Sequence, residues 1–147
     1  MKQRLTSSNS GFTLVEIMIV VAIIALLAAI AVPNFLRSRR RSQATQILQD
    51  MRLIDAAVDQ YAIETNKPPE FLANWSDIQQ YIKSGSRLHT SGCNDILGNV
   101  FGSERADGSG QVPSQFYVDG VVHFQQATYN ALSSVAPMGF WSPFRVH

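Results

Sequence analysis

The chain has 147 residues, 46% of them hydrophobic, and a formal net charge of +1 from 12 basic and 11 acidic side chains. That length holds one small domain beside any membrane segment, and so even a charge balance offers no global field to draw nucleic acid or an acidic substrate. Cys93 is the sole cysteine, which excludes an intramolecular disulfide as the staple of the fold.

Phe12 to Val32 is an apolar run carrying one charge, Glu16. About 20 apolar residues cross a bilayer core as a helix. A soluble core helix of this length would show a polar face, and this run shows none. An acidic residue costs roughly 2.5–3.5 kcal/mol at the centre of a membrane helix and less near its end. From the residues alone, Glu16 therefore either snorkels to the interface or meets a cation or a proton. Pro33 closes the run. It removes one helical hydrogen bond and crowds the preceding turn, so it marks either a helix end or a bend within a longer helix. Helical pattern resumes at once, and a bend is expected.

Two other accounts of this end exist. Ala29-Ile30-Ala31 has the small-residue character of a secretory cleavage site, but the apolar stretch is longer than such signals use and contains Glu16. An uncleaved anchor with a cytoplasmic domain is favoured by charge, because Arg37, Arg39, Arg40 and Arg41 outnumber Lys2 and Arg4 and the positive-inside rule puts the larger cluster in the cytoplasm.

The arginine cluster reads first as a solvated helix face near the headgroups. It also suits anionic lipid, carboxylates of neighbouring copies, or DNA phosphates. No aromatic residue interleaves with it, so a stacking platform for single strands is not indicated. From Asn34 to Thr65, Ile47, Met51, Ile54, Val58 and Tyr61 recur every three or four residues and make one apolar stripe. Asp50, Asp55, Asp59 and Gln60 lie mostly off it. Asn66-Lys67-Pro68-Pro69 stops the helix.

Ser76-Asp77-Ile78-Gln79 has the capping-box spacing and predicts a short helix to about Lys83, ended by Ser84-Gly85. Gly98-Asn99 supplies turn chemistry before a short strand at Val100-Phe101. Arg105 to Gly110 is a polar loop. Phe116 to Val118 and Val121 to Phe124, joined at Asp119-Gly120, predict a β-hairpin. Thr128 to Val135 reads as a last helix, and the aromatic tail from Phe140 to Phe144 as a cover on the core.

No catalytic constellation emerges, and an enzyme is not expected. His89, His123 and His147 are far apart and fit neither a metal site nor a triad. No P-loop, nucleophile elbow or Cys-x-x-Cys is present. Asn74-Trp75-Ser76 fits a glycosylation sequon only weakly. Cys93 is expected to be a buried or loop residue without a role.

Gly11-Phe12-Thr13-Leu14-Val15-Glu16, followed by the apolar helix and Pro33, resembles the signal of type IV pilins and type II secretion pseudopilins, over about residues 9–36. Asp95 to Phe101 is similar to the segment that leads into the sheet of major pseudopilins. The resemblance implies an α+β, pilin-like ladle: one long N-terminal helix, half membrane stem and half amphipathic, on a small antiparallel β-sheet head. It implies a leader at 1–11, a transmembrane and filament-core helix at 12–33, its amphipathic continuation at 34–66 and a globular head at 67–147. A prepilin peptidase would cut between Gly11 and Phe12 and methylate Phe12. The new amine, cationic below a pKa of about 8, stands four residues before Glu16, on one side of a helix, and Glu16 matches the filament-assembly glutamate.

The implied function is that of a structural subunit of a type II secretion pseudopilus or type IV pilus-like filament. It would be assembled for protein secretion from the bacterial inner membrane, with the head in the periplasm. Partners would be further copies, other pseudopilins and an inner-membrane assembly platform. The missing disulfide and the Asp95–Phe101 segment favour the secretion version over a type IV pilus or a DNA-uptake pilin. Outside the family stands a membrane-anchored binding domain that forms no filament. Major pseudopilins often bind calcium in a C-terminal loop; Asp107 and Asp119 are the candidate ligands here, with Glu104 nearby.

Overall fold

The computed structural model describes residues 11–105 and 112–147. Helix α1 runs from Leu14 to Thr65 and contains Pro33. The chain divides into two units, Met1–Arg37 and Ser38–His147, and the boundary falls inside α1.

In the first unit every described residue is exposed. Ile24, Leu27 and Ile30 keep 60%, 62% and 64% of their surface open, so the chain itself buries none of this apolar run. The helix is long and apolar enough to cross a membrane. Pro33 has no N–H to give the carbonyl one turn back, and the helix continues past that missing bond.

The second unit folds around the rest of α1. Ile47, Met51, Ile54, Val58 and Tyr61 are all buried, as the stripe requires, joined by Ala44, Leu48 and Ala57. Asp50 is buried too, against expectation. Asn66 ends the helix with φ of 49°, a left-handed cap that asparagine tolerates, and Pro68-Pro69 prevents resumption.

Strand β1 (Leu72–Asn74) runs straight into α2 (Trp75–Ile78) and a 3-10 turn, Gln79–Tyr81. The cap lies two residues earlier than predicted: the Asn74 N–H donates to the Asp77 carboxylate at 2.9 Å. Two overlapping capping patterns compete here, and the one that follows the strand directly wins. Helix α3 (Arg87–Ser91) is capped by Ser86, whose hydroxyl accepts from the His89 N–H.

The sheet strands are short. Strand β2 is Gly102–Glu104, β3 Val112–Pro113, β4 Gln115–Tyr117 and β5 Val121–Phe124. Strand β4 pairs antiparallel with β1, Ala73 facing Phe116. The other sheet has the order β3-β2-β5-β6, with β6 (Arg145–Val146) parallel to β5 and the rest antiparallel. The expected hairpin is therefore not formed: β4 and β5 lie in different sheets. The Asp119-Gly120 turn carries the chain between them. The Gly120 N–H closes the turn on the Tyr117 carbonyl, while the Val118 and Asp119 N–H groups bond outward, to the Phe71 and Pro69 carbonyls. A Cβ on Gly120 would stand 2.5 Å from the Glu104 carbonyl oxygen, so only glycine allows this crossing.

Helix α4 spans Gln126–Leu132. The aromatic tail covers the core as expected. Trp141 is fully buried, its indole N–H donates to the Ala136 carbonyl at 3.1 Å, and its ring centre is 4.4 Å from that of Phe124.

Candidate functional site

The peptide bond between Gly11 and Phe12 precedes the helix. Gly11 has open space about it, and Phe12 is 82% exposed. The bond is thus presented in a non-helical, unobstructed stretch, as any cleavage site requires. Thr13 is the N-cap of α1. Its main-chain N–H and its hydroxyl both donate to one carboxylate oxygen of Glu16, each at 2.8 Å, and the Glu16 N–H donates back to the Thr13 hydroxyl at 3.2 Å. This is a capping box.

Thr13 is the residue that sequence reasoning missed, although Thr13-Leu14-Val15-Glu16 carries the Ser/Thr-x-x-Glu spacing. In the uncut chain, the carboxylate that matches the filament-assembly glutamate is held by its own N-cap. Phe12 lies outside the helix, so the same-face relation of Phe12 and Glu16 is not formed here.

Beyond Pro33, Arg39, Arg40 and Arg41 are exposed on α1. Among the described residues, no ion pair engages them or Arg37.

The charged groups that are engaged serve the head. Asp50 and Arg87 form an ion pair, and a second Arg87 N–H reaches the Asn94 carbonyl at 3.1 Å. Burial raises the Asp50 carboxyl above its ordinary value, and Arg87 opposes that shift without cancelling it. Asp95 is a buried clasp. One oxygen accepts from the Leu97 and Asn99 N–H groups at 2.8 and 2.9 Å, and the other accepts from the Thr128 hydroxyl at 2.5 Å. The segment that resembles the pseudopilin turn therefore ties a loop to α4. Arg145 reaches Glu104 at 2.5 Å.

His123 and His147, separate in sequence, meet edge to face with ring centres 5.2 Å apart. Burial, chiefly, and then His147 lower the His123 value. Neither ring makes a metal or triad set, and among the described residues no three His, Cys, Asp or Glu side chains gather. Of the calcium candidates, Asp119 is exposed on the inter-sheet turn, and Asp107 lies outside the described residues. Cys93 is buried, and burial pushes its thiol up to about 12, where it is inert at neutral pH.

Residues 6–32 match the family described as the prokaryotic N-terminal methylation motif. The chain is 40% identical over 68 residues to the type IV major pilin protein PilA of Myxococcus xanthus, which covers 46% of this chain and 31% of that one. It is 36% identical over 80 residues to the type IV major fimbrial protein FimA of Dichelobacter nodosus, covering 54% and 50%. To the type II secretion system core protein G of Aeromonas hydrophila it is 33% identical over 61 residues, covering 42% and 43%. The chain thus spans about half or less of the length of these curated relatives. No solved structure matches it. The chain carries the methylation motif and is similar, over half or less of their length, to both type IV pilins and type II secretion core proteins.

Proposed function

We propose that this chain is the precursor of a filament subunit. The observation that carries the reading is the methylation motif at residues 6–32 joined to an apolar helical run, through Val32, that the described chain leaves wholly exposed. A prepilin peptidase cuts after Gly11 and methylates Phe12. Cutting frees an amine next to Thr13, and Glu16 exchanges its local capping bonds for the amine of a neighbouring subunit. That exchange favours assembly because a carboxylate in apolar surroundings gains most from a full cation.

Stem packs on stem, and burial of apolar surface supplies the cohesion. Pro33 lets the helix bend at the end of the membrane run. Before assembly the subunit spans the bacterial inner membrane, head in the periplasm, and an assembly platform extracts it. In a type II secretion system the filament drives protein export, a reading supported by the core protein G relatives and by a head without a disulfide. The type IV pilus reading is favoured by the pilin and fimbrial relatives.

The test is the N-terminus and intact mass of the protein from membranes of a host with its prepilin peptidase, together with electron microscopy of sheared material. A start at Phe12, heavier by one methyl group, and filaments that Glu16→Ala abolishes are expected. A start at Met1, or filaments indifferent to Glu16→Ala, overturns the reading.

A further inference from the structure

Three consecutive arginines, Arg39, Arg40 and Arg41, are exposed on α1, and among the described residues none has an ion pair. Their own helix offers no carboxylate within reach. From Ile17 to Gln49 there is no acidic residue, and the first one beyond, Asp50, is held by Arg87. At 3.6 residues per turn the three side chains fan over about 200° of the helix surface. One rigid protein face meets one side of a helix. A fan this wide suits several small, separate anions.

Their place on the helix points to which anions. Arg40 stands four residues before Ala44 and seven before Ile47; Arg41 stands three before Ala44 and seven before Leu48. Both therefore continue the line of the buried stripe. Ala44, Ile47 and Leu48 are covered by the head, whereas Arg40 and Arg41 are open. The cover stops at Ala44, and the arginines lie one turn to the N-terminal side of its edge. In sequence Arg39 follows Val32, the end of the apolar run, by seven residues, about 10 Å of helical rise. Helical side chains lean toward the N-terminus, so a long guanidinium side chain at these positions reaches back toward the polar layer, about 5–8 Å thick, outside the hydrocarbon of a bilayer.

We propose that Arg39, Arg40 and Arg41 bind the phosphates of anionic phospholipid headgroups at the membrane surface from which the head emerges. A guanidinium pairs with phosphate through two parallel N–H bonds, and headgroups are separate, mobile anions that meet a wide fan at once. The lipid supplies the negative charge that this stretch of the chain lacks. The contact rests on the membrane reading of the apolar run, not on filament formation. On the filament reading, extraction breaks it, so it forms part of the resistance that the assembly platform works against.

The test is native mass spectrometry of the full chain released from neutral-detergent micelles that hold equal amounts of phosphatidylglycerol and phosphatidylcholine. The wild type is expected to retain phosphatidylglycerol over phosphatidylcholine by about tenfold or more. R39Q/R40Q/R41Q is expected to lower that preference by about tenfold, and R39K/R40K/R41K to keep it within about threefold, which a folding defect common to both would not allow. Equal retention of the two lipids by the wild type, or an unchanged preference in the glutamine variant, overturns the contact. Release of the lipid by excess inorganic phosphate overturns it in favour of the free anion, and stronger retention of duplex DNA in favour of nucleic acid. Dimers that the glutamine variant loses, with no lipid preference in the wild type, overturn it in favour of a second copy. A wild-type chain that stays in solution without detergent overturns the membrane reading as well.

Discussion

One helix, α1, is built for two surroundings. From Leu14 to Ser42 every residue is exposed, although the stretch is mostly Ile, Val, Leu and Ala. From Ala44 to Tyr61 an apolar stripe of ordinary helical spacing is buried by the chain's own strands and tail. The second stretch alternates stripe with charge, and the first does not. A stripe specifies which side faces a core; a surface apolar all round specifies only that water must be absent. Stem and head thus draw on the same residue types for different ends: most of the head's large apolar side chains are buried in folding, and the stem's are left over for a bilayer or for other copies.

Four measurements would break or sharpen that contrast. The largest effect on assembly is expected in the stem. Glu16→Ala should reduce filament yield about a hundredfold, the scale on which losing a desolvated ion pair acts at an interface, and leave the melting of the detergent-solubilised head unmoved. A shifted melting temperature would mean that stem and head are not separate in energy. Next is Trp141→Ala, which opens a large cavity in the head and should cost about 3–5 kcal/mol by urea titration of the full chain in detergent. A cost near zero would mean that the tail only lies on the core.

Third, Arg87→Met should strand the Asp50 carboxylate. A fully buried partner would cost about 3–5 kcal/mol; with Arg87 itself 30% exposed, about 2 kcal/mol is expected. The double change D50N/R87M should recover much of it. Smallest is the pH effect of His123. The fold favours its neutral ring, so on acidification the unfolded chain takes up the proton first. Head stability should be full above the ordinary imidazole value of about 6.5 and decline as pH falls through it toward the lower folded value. His123→Gln should flatten that slope, and an unchanged slope would assign it to other groups.

What could be read from the residues follows the same division. The stem was legible because its signal is length and lack of charge, which need no partner to interpret. The stripe from Ile47 to Tyr61 was legible because helical period is local. Asp50 was not. It was counted with the charges off the stripe, and its reason to be buried, Arg87, is remote in sequence. The hairpin failed for a related reason. Asp119-Gly120 has hairpin chemistry, but β4 found its partner in Leu72–Asn74 and β5 in Gly102–Glu104, pairings that no local pattern announces. At the candidate site, Glu16 stood out as the one charge in an apolar run, and Gly11 and Phe12 stood out through the resemblance to the pilin signal. The capping role of Thr13 was equally local, and was overshadowed by the stronger reading of its neighbour.

The run from Ile17 to Val32 holds sixteen residues without a polar side chain. Such a surface has no preferred azimuth, because apolar attraction is non-directional. Two such rods can twist about or slip along each other while losing little contact. Charged marks stand only at the ends, at Glu16 and at the arginines past Pro33. Mechanically, the part between them is a bearing, not a gear. Under tension, an array of these rods should lengthen at nearly constant force before it ruptures, and a force–extension trace without such a plateau would show that the stems interlock after all.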